Sequence, residues 1–535
     1  VKPVTRRWIL AGGATAVVAI VVAAVIGLRG GSAGTEPAAA TPSAAADEPS
    51  SVAARYLDAF AAGNATAAGN LTDDPAAASA LLAAVRTGLP AAQAQVLLRQ
   101  VTPAGDGKAS GAFHVTWTLG AGRTWAYDNS LQLIRTGDHW SVHWTPALVH
   151  PKLEANQRLA LRTRAGTPAV VDRDGKPLML WQESGIQPAE GNPAPLLRSS
   201  MTKLTQEQGA GGWSVTRTDA AGADVETLGG TGTAQAKPLT ITLGAGAQGA
   251  AQAAVDGARF PAALLALQPS SGEILAVAQN AAAGLDPKAF SGLYAPGSTF
   301  KIATAAAVLQ HGGQDANTVL DCPASVQLGQ RTIPNDNNFA LPPQPLHSAF
   351  AHSCNTTFAQ LASGLPADAL ARAASQFGLN ADFEIPGISS EAGKVEPAAN
   401  QAEQVENAIG QGKVQASPFG IALMAATVAA GRAVTPKLWR GLDTRVNTGY
   451  QPPPGGVIGA LRQMMREVVT GGTASELRGS GQVFGKTGTA QFGDGTQSDG
   501  WFAGYRGDVA FAVLLKGAGS SKPAVAAAAT FLSGL

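Results

Sequence analysis

The stretch "YAPGSTFKIATAAAVLQ" (residues 294–310) breaks at Pro296 and Gly297 and then runs apolar from Ser298. Its only lysine, Lys301, comes three residues after Ser298. Positions i and i+3 share a helix face. The spacing therefore predicts a helix opened by Ser298, with a hydroxyl and an amine side by side on its first turn. That is a nucleophile beside its own base. Taken alone the pattern is weak. Ser200 and Lys203 in "RSSMTKL" repeat the spacing, with no Pro-Gly break before them and no clear apolar helix after them.

Two motifs downstream of Ser298 separate the two candidates. Ser353-Cys354-Asn355 is the only Ser-x-Asn of the chain, and Lys486-Thr487-Gly488 is the only Lys-Thr-Gly. The second lies in "GKTGTAQF", which reads as a strand. Upstream of Ser298, "AALLALQPSSGEILAVAQ" reads as an apolar hairpin around a Pro-Ser-Ser-Gly turn. "ASPFGIALMAATVAAG" and "IGALRQMMREVVTGG" read as helices, and "GWFAGYR" and "DVAFAVLLKG" as late strands. The expected architecture of residues 256–535 is a sheet covered by helices, its strands drawn from both ends of the segment.

At 535 residues the chain is long enough for several domains. Residues 8–28 carry no charge and, as a helix, would span about 31 Å, one hydrocarbon core. Lys2, Arg6 and Arg7 precede this run, which orients a single-pass anchor with the body outside the cytoplasm. A cleaved signal is the competing reading, and it too exports the body. Residues 1–29 are thus tail and anchor, and the Ala/Ser/Pro/Gly-rich residues 30–50 a flexible spacer. Residues 51–153 place a helical face (Val52, Tyr56, Leu57, Phe60) before strand-like segments, a small α+β domain. Trp140, Val142 and Trp144 alternate there, as core packing. Residues 154–255 are weakly patterned and β-rich, with a strand, an Asp-Gly turn and a strand in "PAVVDRDGKPLML".

Net charge is +1, charged residues are 14% of the chain, and no basic run stands out, which excludes a nucleic-acid binder. Two cysteines and seven histidines supply no metal pattern. His139 and His143 sit on one side of a strand-like "HWSVHW" without the downstream ligands a zinc site needs. No cofactor is expected.

Three motifs in this order, each in suitable local structure, resemble the transpeptidase domain of penicillin-binding proteins, a fold shared with serine β-lactamases. "SSGEILAVAQN", "HSCNTTFAQLA", "IGQGKVQASPFGIALMAA", "GGTASEL" and "DGWFAGY" extend the resemblance over residues 256–535. More loosely, "SVAARYLDAFAAGN" and "WSVHWTPALVHPKL" resemble the small cone-shaped domain of methicillin-resistance-type members, and "TPAVVDRDGKPLM" the start of their pedestal domain. With no glycosyltransferase segment, the chain is similar to class B, monofunctional members.

The resemblance implies a D,D-transpeptidase that cross-links peptidoglycan stem peptides and is trapped by β-lactams. Ser298 would form the acyl-enzyme and Lys301 would take its proton. Ser353 would relay the proton to the leaving amine, and Asn355 would hold the substrate amide. Lys486, Thr487 and Thr489 would bind the terminal carboxylate, while Gly488 keeps the strand open to substrate. The backbone N–H groups of Ser298 and Thr489 would hold the oxyanion. Implied partners are the D-Ala-D-Ala donor, an amine acceptor, a membrane glycosyltransferase, and elongation or division proteins. Cell-shape and resistance roles belong to the same family. Rival readings are a D,D-carboxypeptidase or β-lactamase, in which water resolves the acyl-enzyme, and a β-lactam sensor. An exported domain also allows a disulfide between Cys322 and Cys354. The alternative is two separate buried thiols.

Overall fold

The computed structural model describes residues 48–535 except 121, 183–184, 192–193, 208–211, 233–236, 312 and 494–495. The apolar run at residues 8–28 and most of the spacer lie outside the described residues. Among those described, no helix is long and apolar enough to cross a membrane.

The first domain stacks helices on a four-stranded antiparallel sheet. Helix Pro49–Ala62 buries Val52, Tyr56, Leu57 and Phe60, the face expected from their spacing. Asp74 caps helix Pro75–Gly88 by accepting from Ala77 N–H. The sheet runs in chain order through Gln93–Gly105, Lys108–Thr118, Thr124–Thr136 and His139–Val142. Alternate residues of Lys108–Thr118 turn inward, ending with Trp117, so one face is core and the other is wet. Trp140 and Trp144 pack on this core. His143 faces out, its Nδ1 2.7 Å from Asp73 Oδ2, and no group of metal-ligating side chains occurs among the described residues.

The described residues of 154–255 divide between two hydrophobic cores. Strands Arg158–Arg162, Ser214–Thr218 and Asp224–Gly230 form a three-stranded sheet. Leu159, Trp213 and Val215 join the first domain's core. Strands Pro168–Val171, Pro177–Gln182, Gly185–Pro188 and Leu239–Ile241 build another sheet, completed by Trp439–Arg440 from far downstream. Val170, Met179, Leu197 and Ile241 belong to the large C-terminal core. Helix Ala245–Asp256, assigned by sequence to the pedestal, packs on strand Ile274–Gln279 of the catalytic sheet. A short apolar strand has no stable place until a partner buries it, and here the partners lie on two different domains.

The catalytic sheet has five antiparallel strands in the order Ile274–Gln279, Ala262–Leu267, Val509–Leu515, Gln497–Arg506, Val483–Phe492. The first hairpin of the segment thus lies beside its last strands, with Leu264 opposite Val513. Every residue of Ala262–Leu267 and Ile274–Gln279 is buried, so both faces of these strands are covered, which explains their unbroken apolar sequence. Helices Ala245–Asp256 and Lys522–Ser533 pack together against the sheet, and Pro418–Ala430 crosses its central strands. Pro418–Ala430 is apolar all round and buried from Pro418 to Val428, as a core helix must be. Ser417 caps it, its Oγ accepting from Gly420 N–H at 3.0 Å. Val483–Phe492 remains at the edge of the sheet, and that edge borders the site.

Candidate active site

Gly297 takes a left-handed φ of 52°, and residues Gly297–Phe300 form a 3-10 turn. The α-helix itself opens at Lys301, not at Ser298, and runs Lys301–His311. The consequence for the motif is small, because residues i and i+3 eclipse in a 3-10 turn. Gly297 has no room for a side chain: a Cβ would lie 2.5 Å from Thr489 O. Ser298 is half-buried on the wall of a cleft of about 730 Å³. Ser353, Asn355, Thr487 and Thr489 line the same cleft.

Lys301 is fully buried. Its Nζ donates to Ser353 O at 2.7 Å and to Asn355 Oδ1 at 2.6 Å, and lies 3.4 Å from Ser353 Oγ. Burial first, and then the charge of Lys486, hold its pKa well below the ordinary lysine value, while Asp336 opposes them. Lys486 is also fully buried and donates to Ser353 Oγ at 2.8 Å and to Thr487 O at 3.0 Å. Burial pushes its pKa down to about 7. The two amines reach Ser353 from different elements of the fold, one from the helix and one from the edge strand.

Ser353 lies between helices Leu346–Ala351 and Asn355–Ser363 with a left-handed φ of 61°, which costs a non-glycine residue about 1 kcal/mol or more. Surrounding bonds hold it there. Ser353 N–H donates to Phe350 O, and Cys354 N–H to Ala349 O. Cys354 is bridged to Cys322, with Cα atoms 6.1 Å apart, inside the range a disulfide requires. Both cysteines are buried, so Cys354 points into the body of the domain while its neighbours face the cleft.

Asn335 does not stand out in the sequence. It is buried, and its Oδ1 accepts from Asn355 N–H at 2.7 Å and Thr356 N–H at 3.1 Å. Its Nδ2 donates to Pro323 O and Phe339 O. One amide thus joins the rim loop, the disulfide hairpin and the start of the Asn355 helix. No local pattern marks it, because only Phe339 is near in sequence, four residues on, while its other partners lie about a dozen and twenty residues away. Thr473 falls in the stretch "GGTASEL", which by itself assigns it no role. Its Oγ1 shares a hydrogen bond with Thr487 Oγ1 at 2.6 Å. His352 also reaches the cleft wall.

Along Val483–Phe492, Thr487, Thr489 and Gln491 present side chains to the cleft, as alternation requires. Gly488 faces the serine turn instead. A Cβ there would lie 2.8 Å from Pro296 O and 2.9 Å from Thr299 Cγ2. The expectation that this glycine keeps room for substrate is therefore corrected: it lets the edge strand close on the turn that carries Ser298. Asn355 has both ends of its amide engaged, Nδ2 donating to Pro334 O at 3.0 Å. Ser200 and Lys203 do not meet in this way. They lie within helix Arg198–Glu207, Ser200 buried, Lys203 exposed and 3.8 Å from Glu207.

Two family models match the chain. The family described as the penicillin binding protein transpeptidase domain matches residues 262–533, just over half of the chain. The NTF2-like N-terminal transpeptidase domain matches residues 48–157. Peptidoglycan D,D-transpeptidase PbpA of Mycobacterium tuberculosis is 32% identical over 200 residues, 32% of this chain and 40% of the relative. Penicillin-binding protein PbpB of Mycolicibacterium smegmatis is 29% identical over 218 residues, 37% of this chain and 33% of the relative. These matches thus span well under half the length of each relative. Among solved structures, the D,D-transpeptidase domain of a peptidoglycan glycosyltransferase from Eggerthella lenta superposes with a TM-score of 0.56 at 24% identity, over 69% of this chain and 98% of that one. Penicillin-binding protein A from M. tuberculosis, in an imipenem acyl-enzyme complex, gives 0.54 at 22% identity, over 70% and 98%. At these identities the structures speak for the fold, and the family match speaks for descent: the chain belongs to the penicillin-binding protein transpeptidase family.

Proposed function

We propose that the protein is a peptidoglycan D,D-transpeptidase that works through an acyl-enzyme on Ser298 and is acylated by β-lactams. The observation that carries this reading is the buried Lys301 amine, three residues after Ser298 across a 3-10 turn and bonded to Ser353 and Asn355, which line the same cleft as Ser298. A neutral amine has two N–H groups and one lone pair. Its contacts to Ser353 O and Asn355 Oδ1 use the two N–H groups, and the third oxygen around it, Ser353 Oγ at 3.4 Å, is a hydroxyl that can face the lone pair. Burial and the Lys486 charge favour that neutral form.

The residues present define the steps. Ser298 Oγ attacks the carbonyl carbon of the donor's D-Ala-D-Ala amide, and its proton passes to Lys301 Nζ. The oxyanion lies between the N–H groups of Ser298 and Thr489. The carbon–nitrogen bond breaks as the leaving amine takes a proton through Ser353 Oγ, which sits between the two lysines. Lys486, Thr487 and Thr489 hold the donor's terminal carboxylate, and a bound carboxylate favours the charged form of Lys486. Asn355 Nδ2 exchanges Pro334 O for a donor carbonyl. An acceptor amine then attacks the ester carbon, and as the carbon–oxygen bond breaks the amine's proton passes through Lys301 to Ser298 Oγ, which restores the serine hydroxyl and leaves the cross-link.

The finer reading places the body outside a cell membrane, held by the apolar run at residues 8–28, and working with a membrane glycosyltransferase and with elongation or division proteins. Its support is the uncharged length of that run and the basic residues before it.

The test is labelling with fluorescent penicillin, then mass analysis of the modified peptide. The label is expected on Ser298 and absent from Ser298→Ala. A label on Ser200, or one that persists in Ser298→Ala, refutes the assignment. Incubation with a D-Ala-D-Ala donor and an amine acceptor should give an amide product. Hydrolysis alone would make the protein a carboxypeptidase or β-lactamase.

A further inference from the structure

Strand Val483–Phe492 pairs with Gln497–Arg506 along one edge, and its other edge borders the cleft. The N–H and C=O of successive strand residues point to opposite edges. Gln411 reveals which residues point outward. With its amide oriented to satisfy both groups, Gln411 Nε2 donates to Gln491 O at 3.2 Å, and its Oε1 accepts from Gln491 N–H at 2.8 Å. Gln491 therefore turns its main chain to the open edge, and by alternation so do Thr489 and Thr487. Thr487 O already accepts from Lys486 Nζ. Thr489 is the next residue whose N–H and C=O both face the cleft.

Gln411 imitates a strand residue. Its amide makes the double exchange that defines a hydrogen-bonded pair in an antiparallel ladder. It is also firmly placed. Its own N–H donates to Glu406 O, and the preceding Gly410 O accepts from Gly297 N–H at 2.9 Å. The loop that carries Gln411 is thus tied to the turn that carries Ser298.

Resting on the acyl-transfer reading above, we propose that Gln411 is a specificity-determining residue that ends the donor's pairing with the edge strand. A donor laid on this edge exchanges hydrogen bonds with Thr489. The next pairing position, at Gln491, is already taken by the Gln411 amide. The donor chain must therefore leave the strand past Ile409, toward the rim at residues 335–339, which lines the same cleft. Donors whose chain turns away directly after the acylating unit are accepted. Extended α-linked peptides that need a second pair are disfavoured.

The experiment compares two thioester donors that share a terminal acyl-D-alanyl unit. One carries only a benzoyl cap, and the other continues through two α-linked L-alanines. The quantity read is the ratio of kcat/KM, extended over short, in the full chain. Gln411→Ala is expected to raise that ratio about tenfold, since it frees one N–H and one C=O for the donor. Gln411→Met keeps the bulk and loses the amide, and is expected to raise it less. A ratio unmoved in both variants, with both donors slowed alike, would mean that Gln411 only braces the strand and would overturn the proposal. If neither donor acylates Ser298 in the unsubstituted chain, the acyl-transfer reading falls, and this proposal with it.

Discussion

Lys486 Nζ donates to Ser353 Oγ at 2.8 Å, across 133 residues of sequence. The same oxygen lies 3.4 Å from Lys301 Nζ. One hydroxyl therefore stands between two buried amines, and only one of the two can carry a proton at low cost. The acyl transfer proposed above needs an unequal pair: Lys301 neutral to accept the serine proton, and Lys486 charged to bind a carboxylate.

That inequality sets a pH profile. Acylation by penicillin should rise with pH as Lys301 loses its proton, at a pH well below the ordinary lysine range. It should fall above about 7 as Lys486 loses its own. Both limbs belong to the free enzyme, so they are read in the second-order acylation rate. Lys486→Arg keeps its charge throughout and should remove the falling limb while lowering the plateau. A wild-type rate that is flat from pH 7 to 9 would show that Lys486 does not supply the charge. Lys301→Ala should suppress acylation by several orders of magnitude at every pH, with an unchanged melting temperature or a higher one.

The bridge between Cys322 and Cys354 closes a loop with a sequence separation of 32. A loop of that size contributes about 3–4 kcal/mol in the chain-entropy model. Replacing both cysteines by alanine should lower the unfolding free energy of the catalytic domain by about that amount, measured in denaturant. Acylation should slow as well, because Cys354 helps to hold Ser353 in its left-handed conformation. Thiol titration of the denatured, unreduced protein should find no free thiols, and two after reduction.

Gly488→Ala places a methyl group against Pro296 O and Thr299 Cγ2 at less than 3 Å. The edge strand must then move off the serine turn, and with it the Thr489 N–H that is proposed above to hold the oxyanion. Loss of one such donor costs about 10²–10³ in rate. Acylation should fall by that order while penicillin still labels Ser298 on long incubation. A crystal structure of the variant with an unmoved strand and normal kinetics would count against this packing role.

Asn335→Ala removes the acceptor of two buried N–H groups and the donor to two carbonyls. Unsatisfied buried groups of this kind cost about 1–3 kcal/mol each when no water replaces the partner. The variant should lose about 2–4 kcal/mol of stability and at least tenfold in acylation rate. Asn335→Asp keeps the acceptor and should recover part of the loss below neutral pH.

The local parts of the site are legible in the amino-acid sequence. Ser298 and Lys301 are legible because a single helical turn fixes their relation. Ser-x-Asn and Lys-Thr-Gly are legible because each motif is completed within three residues. The five catalytic strands show as apolar or alternating runs bounded by turns. The tertiary structure alone decided how these parts meet. It set Lys486 on Ser353, Asn335 on Asn355 and Gln411 on Gln491. It also separated the Ser200 pair, whose spacing is the same, by burying the serine and leaving the lysine on the surface. Residues 154–255 read as one domain in sequence for the same reason. Their strands are short and weakly patterned, and two separate cores claim them. Propensity and periodicity act within one element. A contact between distant residues depends on which surfaces bury each other, and that is settled only when the whole chain packs.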